Sequence, residues 1–198
     1  TKKIFWRGVV EELIWFLKGS TSSYDLSSKG IHIWDHETES MFGPGDLGPI
    51  YGFQWKHWGA NYISKDALYK GIGIDQITQI SIDIRKKLEN QSNFFLTAWN
   101  CNDIHKMALS PCHMFAQFIL DNNSLSCVVY QRAADVGLGL PFNIASYALL
   151  LKFFAHIHKI QVGKLVIIAG DTHIYNSHIS GLSKQILRTP KPFPDVTL

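Results

Sequence analysis

HMFAQFIL at residues 113–120, DNNS at 121–124 and LSCVVYQR at 125–132 make up the stretch whose reading decides the fold. β-Branched and aromatic residues crowd both flanks, and Asp121-Asn122-Asn123-Ser124 between them is built from turn formers. The pattern predicts a β-hairpin with strands His113 to Leu120 and Leu125 to Arg132. Working outward, Phe94 to Trp99 reads as a strand before the hairpin and Lys164 to Ala169 as one after it. Ile144 to Ile157 is apolar except for Lys152 and His156, short of a bilayer span, and reads as a buried helix.

Toward the N-terminus, apolar side chains at 6, 9, 10, 13, 16 and 17 predict an amphipathic helix over Trp6–Leu17, stopped by Gly19. On that helix Glu11 falls opposite the apolar stripe, whereas Glu12 falls on its margin, where a carboxylate can look into a cleft. A second helix is predicted from an Asp75 N-cap through Ile77, Ile80, Ile84 and Leu88, with Arg85-Lys86-Lys87 as a solvated basic end. The Gly-, Pro- and Trp-rich region from Trp34 to Trp58 reads as loop. Helix, strand cluster, buried helix and strand do not repeat as βαβ, so the expected fold class is α+β in a single domain over 1–198.

The 198 residues carry a formal net charge of +3 with 46% hydrophobic and 18% charged residues, a globular composition too mildly basic to imply DNA or other nucleic acid. Cys101, Cys112 and Cys127 form no CxxC pair and are odd in number, which argues against a disulfide framework or a zinc site. Thr1 to Arg7 lacks the apolar core of a secretory signal. The expectation is a soluble protein, away from membranes, in a reducing compartment such as the cytoplasm or nucleus.

Chemistry concentrates around Met107-Ala108-Leu109-Ser110-Pro111-Cys112-His113. Pro111 restricts the backbone before Cys112, and an Arg within reach would favour the thiolate, so Cys112 is either a nucleophile or buried apolar filler. His113 points to the opposite strand face, which rules against a simple Cys–His dyad. Arg132 ends a strand in apolar surroundings and suits an anion or a carboxylate. Asn143, after Pro141-Phe142, is either a helix N-cap or an amide fork for a planar amide or imide. In Gly170-Asp171-Thr172-His173-Ile174-Tyr175, His173 and Tyr175 share a face if the chain is extended, with a simple turn as the other reading. Gly137-Leu138-Gly139 is too short a signal for a dinucleotide fold, and no motif indicates metal or ATP.

Taken together, Phe5-Trp6-Arg7-Gly8, Ile33-Trp34-Asp35, Gly45 to Gly52, Ala98-Trp99-Asn100, Pro111-Cys112-His113 and Pro141 to Leu149 make a chain that resembles the thymidylate synthase family over nearly its whole length. The resemblance implies a mixed twisted β-sheet packed with helices, in a homodimer joined back to back through a sheet face. It implies reductive methylation of dUMP to dTMP with 5,10-methylenetetrahydrofolate as one-carbon and hydride donor, and no metal. In that scheme Cys112 is the nucleophile at uracil C6, Glu12 relays protons through water, Tyr51 assists at the C5 proton, and Asn143 reads the uracil edge. Arg132, Gln131, His113, His173 and Tyr175 are implied around the nucleotide. Ile33, Trp34, Asp135, Leu138, Gly139, Phe142 and Tyr175 are implied around the folate, with Asp135 also counted as catalytic.

The chain departs from the family pattern in its phosphate clamp, where an arginine pair is replaced by Ser92 and Asn93 and a serine by Ala133, leaving Arg132. The family pattern also extends before Thr1 and past Leu198, so the expectation is either a fragment of a longer protein, one fused to another folate enzyme included, or a shortened relative. Two alternatives follow: a dimeric scaffold without catalysis, and a sister nucleotide hydroxymethylase. Asn143 speaks against a cytosine substrate for the latter.

Overall fold

Asn122 and Asn123 both adopt positive φ, 45° and 61°, so the chain reverses in a two-residue turn of the sense that matches strand twist. The flanking strands run longer than the sequence pattern indicates. The structure, a computed structural model, describes residues 2–36, 41–86, 94–192 and 194–196. In chain order its elements are helices α1 (Trp6–Leu17), α2 (Tyr24–Ser27), α3 (Tyr51–His57) and α4 (Gln76–Arg85), then strands β1 (Phe94–Thr97), β2 (His113–Asp121) and β3 (Ser124–Asp135). Helix α5 (Gly139–His158), strand β4 (Gln161–His173) and helix α6 (Ile179–Ile186) complete it.

The sheet is four-stranded in the order β1-β2-β3-β4. β1–β2 and β2–β3 pair antiparallel, while β3–β4 pair parallel through the α5 crossover. The expected α+β class with a mixed sheet is what the chain adopts. Alternation sends Ala116, Phe118, Leu120, Leu125, Cys127 and Val129 into the core, where Phe118 meets Phe154 of α5 edge to face at 5.2 Å. α1, α3 and α5 pack over this face and carry the site. The other sheet face keeps Phe95, Phe115, Val166 and Ile168 exposed.

Several sequence expectations shift. α1 has the predicted bounds, and Asp75 caps α4 by accepting from Thr78 N at 2.9 Å; Lys87 and Leu88 lie outside the described residues. The Trp34–Trp58 loop contains α3, whose residues Tyr51 to Trp55 are all buried and so show no polar face to betray a helix. Gly52 is needed there, because a Cβ would lie 3.0 Å from Ser20 O and 3.1 Å from Phe16 O. The strand predicted to Trp99 ends at Thr97. α5 begins at Gly139 rather than Ile144, since Pro141 in the first turn removes an N–H that has no helical partner anyway. At 20 residues it is long and apolar enough to cross a bilayer, contrary to the sequence expectation, yet Tyr147, Leu150, Leu151, Phe154 and Ala155 bury into the core. Gly170 to His173 is strand, not turn.

Candidate active site

β2 opens beside the loop that delivers Cys112, and the loop is held from two sides. The Cys112 backbone N–H donates to Tyr51 Oη at 2.6 Å, and the Cys112 carbonyl accepts from Arg132 N at 2.7 Å. Arg132 donates from Nε to Pro111 O and from Nη2 to Ser110 O, each at 3.2 Å, with its guanidinium 5.7 Å from the Trp99 ring. Cys112 is half-buried and its backbone is fixed, so the filler reading, which requires full burial, does not apply. Cys127 is the buried filler of the three, its thiol pushed up to about 12 by desolvation.

Tyr51 stands at the start of α3, buried, with its phenol held well above the ordinary value by burial and then by neighbouring Cys112. It is therefore a neutral O–H. His113 stacks on it with ring centroids 4.2 Å apart, and His113 Nδ1 shares a 2.9 Å hydrogen bond with Tyr147 Oη. Desolvation drives the His113 imidazole down to about 3, so it is uncharged at neutral pH.

α1 contributes Glu12. Burial pushes its carboxyl up to about 7, opposed by the Trp34 indole, whose Nε1–H donates to Oε1 at 2.8 Å. A carboxyl that titrates near neutrality can both give and take a proton. Glu11 points elsewhere, paired with Lys29 at 2.6 Å. Trp34 in turn meets Tyr51 edge to face at 6.1 Å, which joins Glu12 to the Cys112 loop.

Asn143 lies inside α5, not at its cap; the N-cap is Leu138, which makes no side-chain capping bond. Its Oδ1 accepts from Gln131 Nε2 at 2.9 Å, and the same Nε2 donates to Ala133 O at 3.0 Å. The Ala133 carbonyl thus fixes which end of the Gln131 amide faces Asn143. Gln131 Oε1 is buried without a hydrogen-bond partner among the described residues. Gln131 pairs in register with His113, closing a continuous path from Glu12 through Trp34, Tyr51, His113 and Gln131 to Asn143.

The end of β3 carries the second half. Asp135 accepts from Gly137 N at 2.9 Å and Gly139 N at 3.2 Å. Burial acts to raise its carboxyl, but the Gly139 and Gly137 N–H groups and nearby His178 hold it below the ordinary value. Asp135 pairs in register with His173 of β4, and His173 and Tyr175 meet edge to face at 5.1 Å, sharing a face as expected of extended chain. Phe142 neighbours Asn143 on α5, while Ile33, Leu138 and Tyr175 are exposed. Ser92 and Asn93 lie outside the described residues. Sequence patterns assign no role to Trp99 beneath Arg132, Tyr147 behind His113 or His178 beside Asp135, although Trp99 and Tyr147 fall within stretches that carry the resemblance. No group of three or more His, Cys, Asp or Glu stands ready for a metal among the described residues.

A thiol on a fixed loop, a near-neutral carboxyl, a neutral phenol and an oriented amide can together perform nucleophilic addition with proton relay to a planar amide-containing ring. A family model described as thymidylate synthase matches residues 1–198. A bifunctional dihydrofolate reductase-thymidylate synthase of Zea mays is 50% identical, covering 98% of this chain and 39% of its own length. Thymidylate synthase of Ascaris suum is 49% identical over 99% of this chain and 69% of its own, and that of Human herpesvirus 8 type P (isolate GK18) is 48% identical over 98% and 60%. The chain thus spans only 39% of the length of the maize relative and 60% of the herpesviral one.

Proposed function

Since the chain belongs to the thymidylate synthase family, we propose that it carries the catalytic domain of an enzyme that methylates dUMP to dTMP. The observation that supports this most directly is the Tyr51–Cys112 bond at 2.6 Å within the unbroken path from Glu12 to Asn143. The thiolate of Cys112 adds to C6 of the uracil ring, forming a C–S bond as the C5–C6 π electrons move toward C4–O4 and make C5 nucleophilic. Asn143, its Oδ1 fixed by Gln131, offers Oδ1 to uracil N3–H and Nδ2–H to O4, stabilising that charge. After carbon transfer, the C5 proton leaves through Tyr51 and water to Glu12; once the transferred carbon has parted from its donor and taken up the hydride as a methyl group, the C5–C6 double bond re-forms and the C6–S bond breaks to return the Cys112 thiolate.

5,10-Methylenetetrahydrofolate supplies the carbon and the hydride when bound. The residues fit such a group: Asp135 keeps acceptor capacity beyond its two backbone donors for ring N–H groups, and Trp34, Leu138, Gly139 and Phe142 supply apolar walls. Ile33 and Tyr175 extend that wall, and His173 with Tyr175 serves the nucleotide sugar. Arg132, with Ala133 beside it, is the phosphate partner on this chain. A homodimer through the bare sheet face and a reducing, cytoplasmic setting, in keeping with Cys101, Cys112 and Cys127 standing outside any disulfide, complete the proposal. The scaffold alternative gains nothing from a site whose catalytic groups remain in one contiguous arrangement.

Intact-protein mass spectrometry after incubation with 5-fluoro-dUMP and methylenetetrahydrofolate tests the reading, because fluorine blocks loss from C5 and traps the adduct. The expected result is a mass increase equal to both ligands, absent in Cys112→Ser. A folded wild-type chain without adduct overturns it.

A further inference from the structure

Asp135 has a neighbour that the reaction scheme above does not use. His178 closes the short helical turn Asn176–His178 after β4, with its N–H donating to Tyr175 O at 2.8 Å and its ring edge to face with Tyr175 at 5.8 Å. Its Nδ1 lies 3.3 Å from Asp135 Oδ1 and is buried with no hydrogen-bond partner among the described residues. The approach is possible only because residue 137 has no side chain. A Cβ on Gly137 would lie 2.3 Å from His178 Nδ1 and 2.6 Å from Cγ, too close for any small adjustment of the ring. Gly137 is not among the glycines at positive φ, so backbone conformation does not require glycine there. The space it leaves is used by the imidazole.

Deepening the proposed function and resting on its assignment of Asp135 to the folate, we propose that His178 is a positioning residue that fixes the Asp135 carboxylate for the one-carbon donor, with Gly137 as the clearance that admits it. A carboxylate offers about four acceptor sites. Gly137 N–H, Gly139 N–H and the His178 ring occupy or face three, which leaves one for a ligand N–H. His178 also ties the exit of β4, with Tyr175, to the turn between β3 and α5, so both folate-facing segments move as one. The charged groups around the imidazole are Asp135 on one side and, across a cavity of about 280 Å3, Lys2 and Arg188 on the other. Lys2 Nζ donates to Gly137 O, bracing the same turn.

The test uses His178→Ala, His178→Gln, Gly137→Ala and the Gly137→Ala/His178→Ala pair in the full chain. In His178→Ala the KM for methylenetetrahydrofolate should rise about tenfold while the KM for dUMP stays within about twofold, and His178→Gln, which keeps a donor, should recover most of the loss. Gly137→Ala should reproduce the defect by displacing the ring, and the pair should be no worse than His178→Ala alone, a non-additivity expected of residues acting through one contact. A second readout needs no substrate: the 13C titration midpoint of the Asp135 carboxyl should rise in His178→Ala and in Gly137→Ala. An unmoved midpoint, or full additivity of the pair, overturns the proposal. A raised midpoint with an unchanged folate KM would keep the coupling and overturn instead the assignment of Asp135 to folate.

Discussion

At the scale of single residues, Glu12 carries a stability cost that can be measured. Its carboxyl is held near 7 in the folded chain against an ordinary value of 4.5, with burial the dominant cause. The folded state therefore binds the Glu12 proton more tightly than the unfolded state, and stability falls as pH rises from the ordinary carboxyl value through 7. The penalty is absent at pH 4 and complete above pH 8. Glu12→Gln should remove it, gaining about 1–3 kcal/mol at pH 8 and almost nothing at pH 4, the lower part of that range reflecting the carboxyl's partial access to water. Urea titrations of both proteins at the two pH values check this, and a gain that does not depend on pH would contradict it. The same substitution should abolish turnover while leaving Cys112 able to form the fluorinated adduct. Tyr51→Phe makes a complementary case. It leaves the Cys112 N–H without its 2.6 Å acceptor, so the chain should lose about 1–3 kcal/mol in the same titration, with slower alkylation of Cys112 by iodoacetamide.

At the scale of elements, the hairpin is controlled by its turn. Asn122 and Asn123 tolerate positive φ better than other non-glycine residues, and a β-branched side chain does not. Asn123→Val should cost about 1–2 kcal/mol, and Asn123→Gly should be neutral or stabilising, as seen by equilibrium denaturation. This hairpin, α1 and the Asp75 cap were legible because each writes a local signal: alternation, a period of 3.6, or a capping side chain. α3 was not, because every residue from Tyr51 to Trp55 is buried and the sequence shows no periodic contrast. The start of α5 was hidden by Pro141, which reads as a breaker until its place in the first turn is known. The far end of β4 was hidden by Gly170 and Asp171, turn formers that an edge strand accommodates because β3 supplies the pairing. In the site, Cys112, Arg132, Glu12 and Asn143 stood out by local context, a preceding proline, a strand end, a helix margin and a possible amide fork, while the roles of Tyr51 and Asp135 came from motif resemblance alone. His178 had neither signal, since its meaning depends on Gly137 being small and on β4 running beside β3.

At the scale of the whole molecule, the sheet has one dry face and one wet one, and the wet face is the wrong chemistry for water. Phe95, Phe115, Val166 and Ile168 are exposed there across β1, β2 and β4, with Phe115 and Tyr130 stacked at 5.9 Å between them. Contiguous apolar surface of this kind is what the proposed homodimer needs, since a flat face spanning several strands is suited to a two-fold copy of itself. By alternation along β3, Arg132 continues the row that contains Val128 and Tyr130, so a seam on this face would run up to the loop that holds Cys112. Dimerisation and nucleotide binding should then fail together. Val166→Asp/Ile168→Asp places two charges on the β4 side of this face without touching the core. At micromolar concentration, sedimentation equilibrium should give a dimer for the natural chain and a monomer for the variant, with far-UV circular dichroism unchanged. The variant should also bind dUMP at least about tenfold more weakly, as expected when an obligate interface supports the site. A natural chain that sediments as a monomer would remove the interface from the argument, and a monomeric variant that binds dUMP normally would confine the nucleotide site to one subunit.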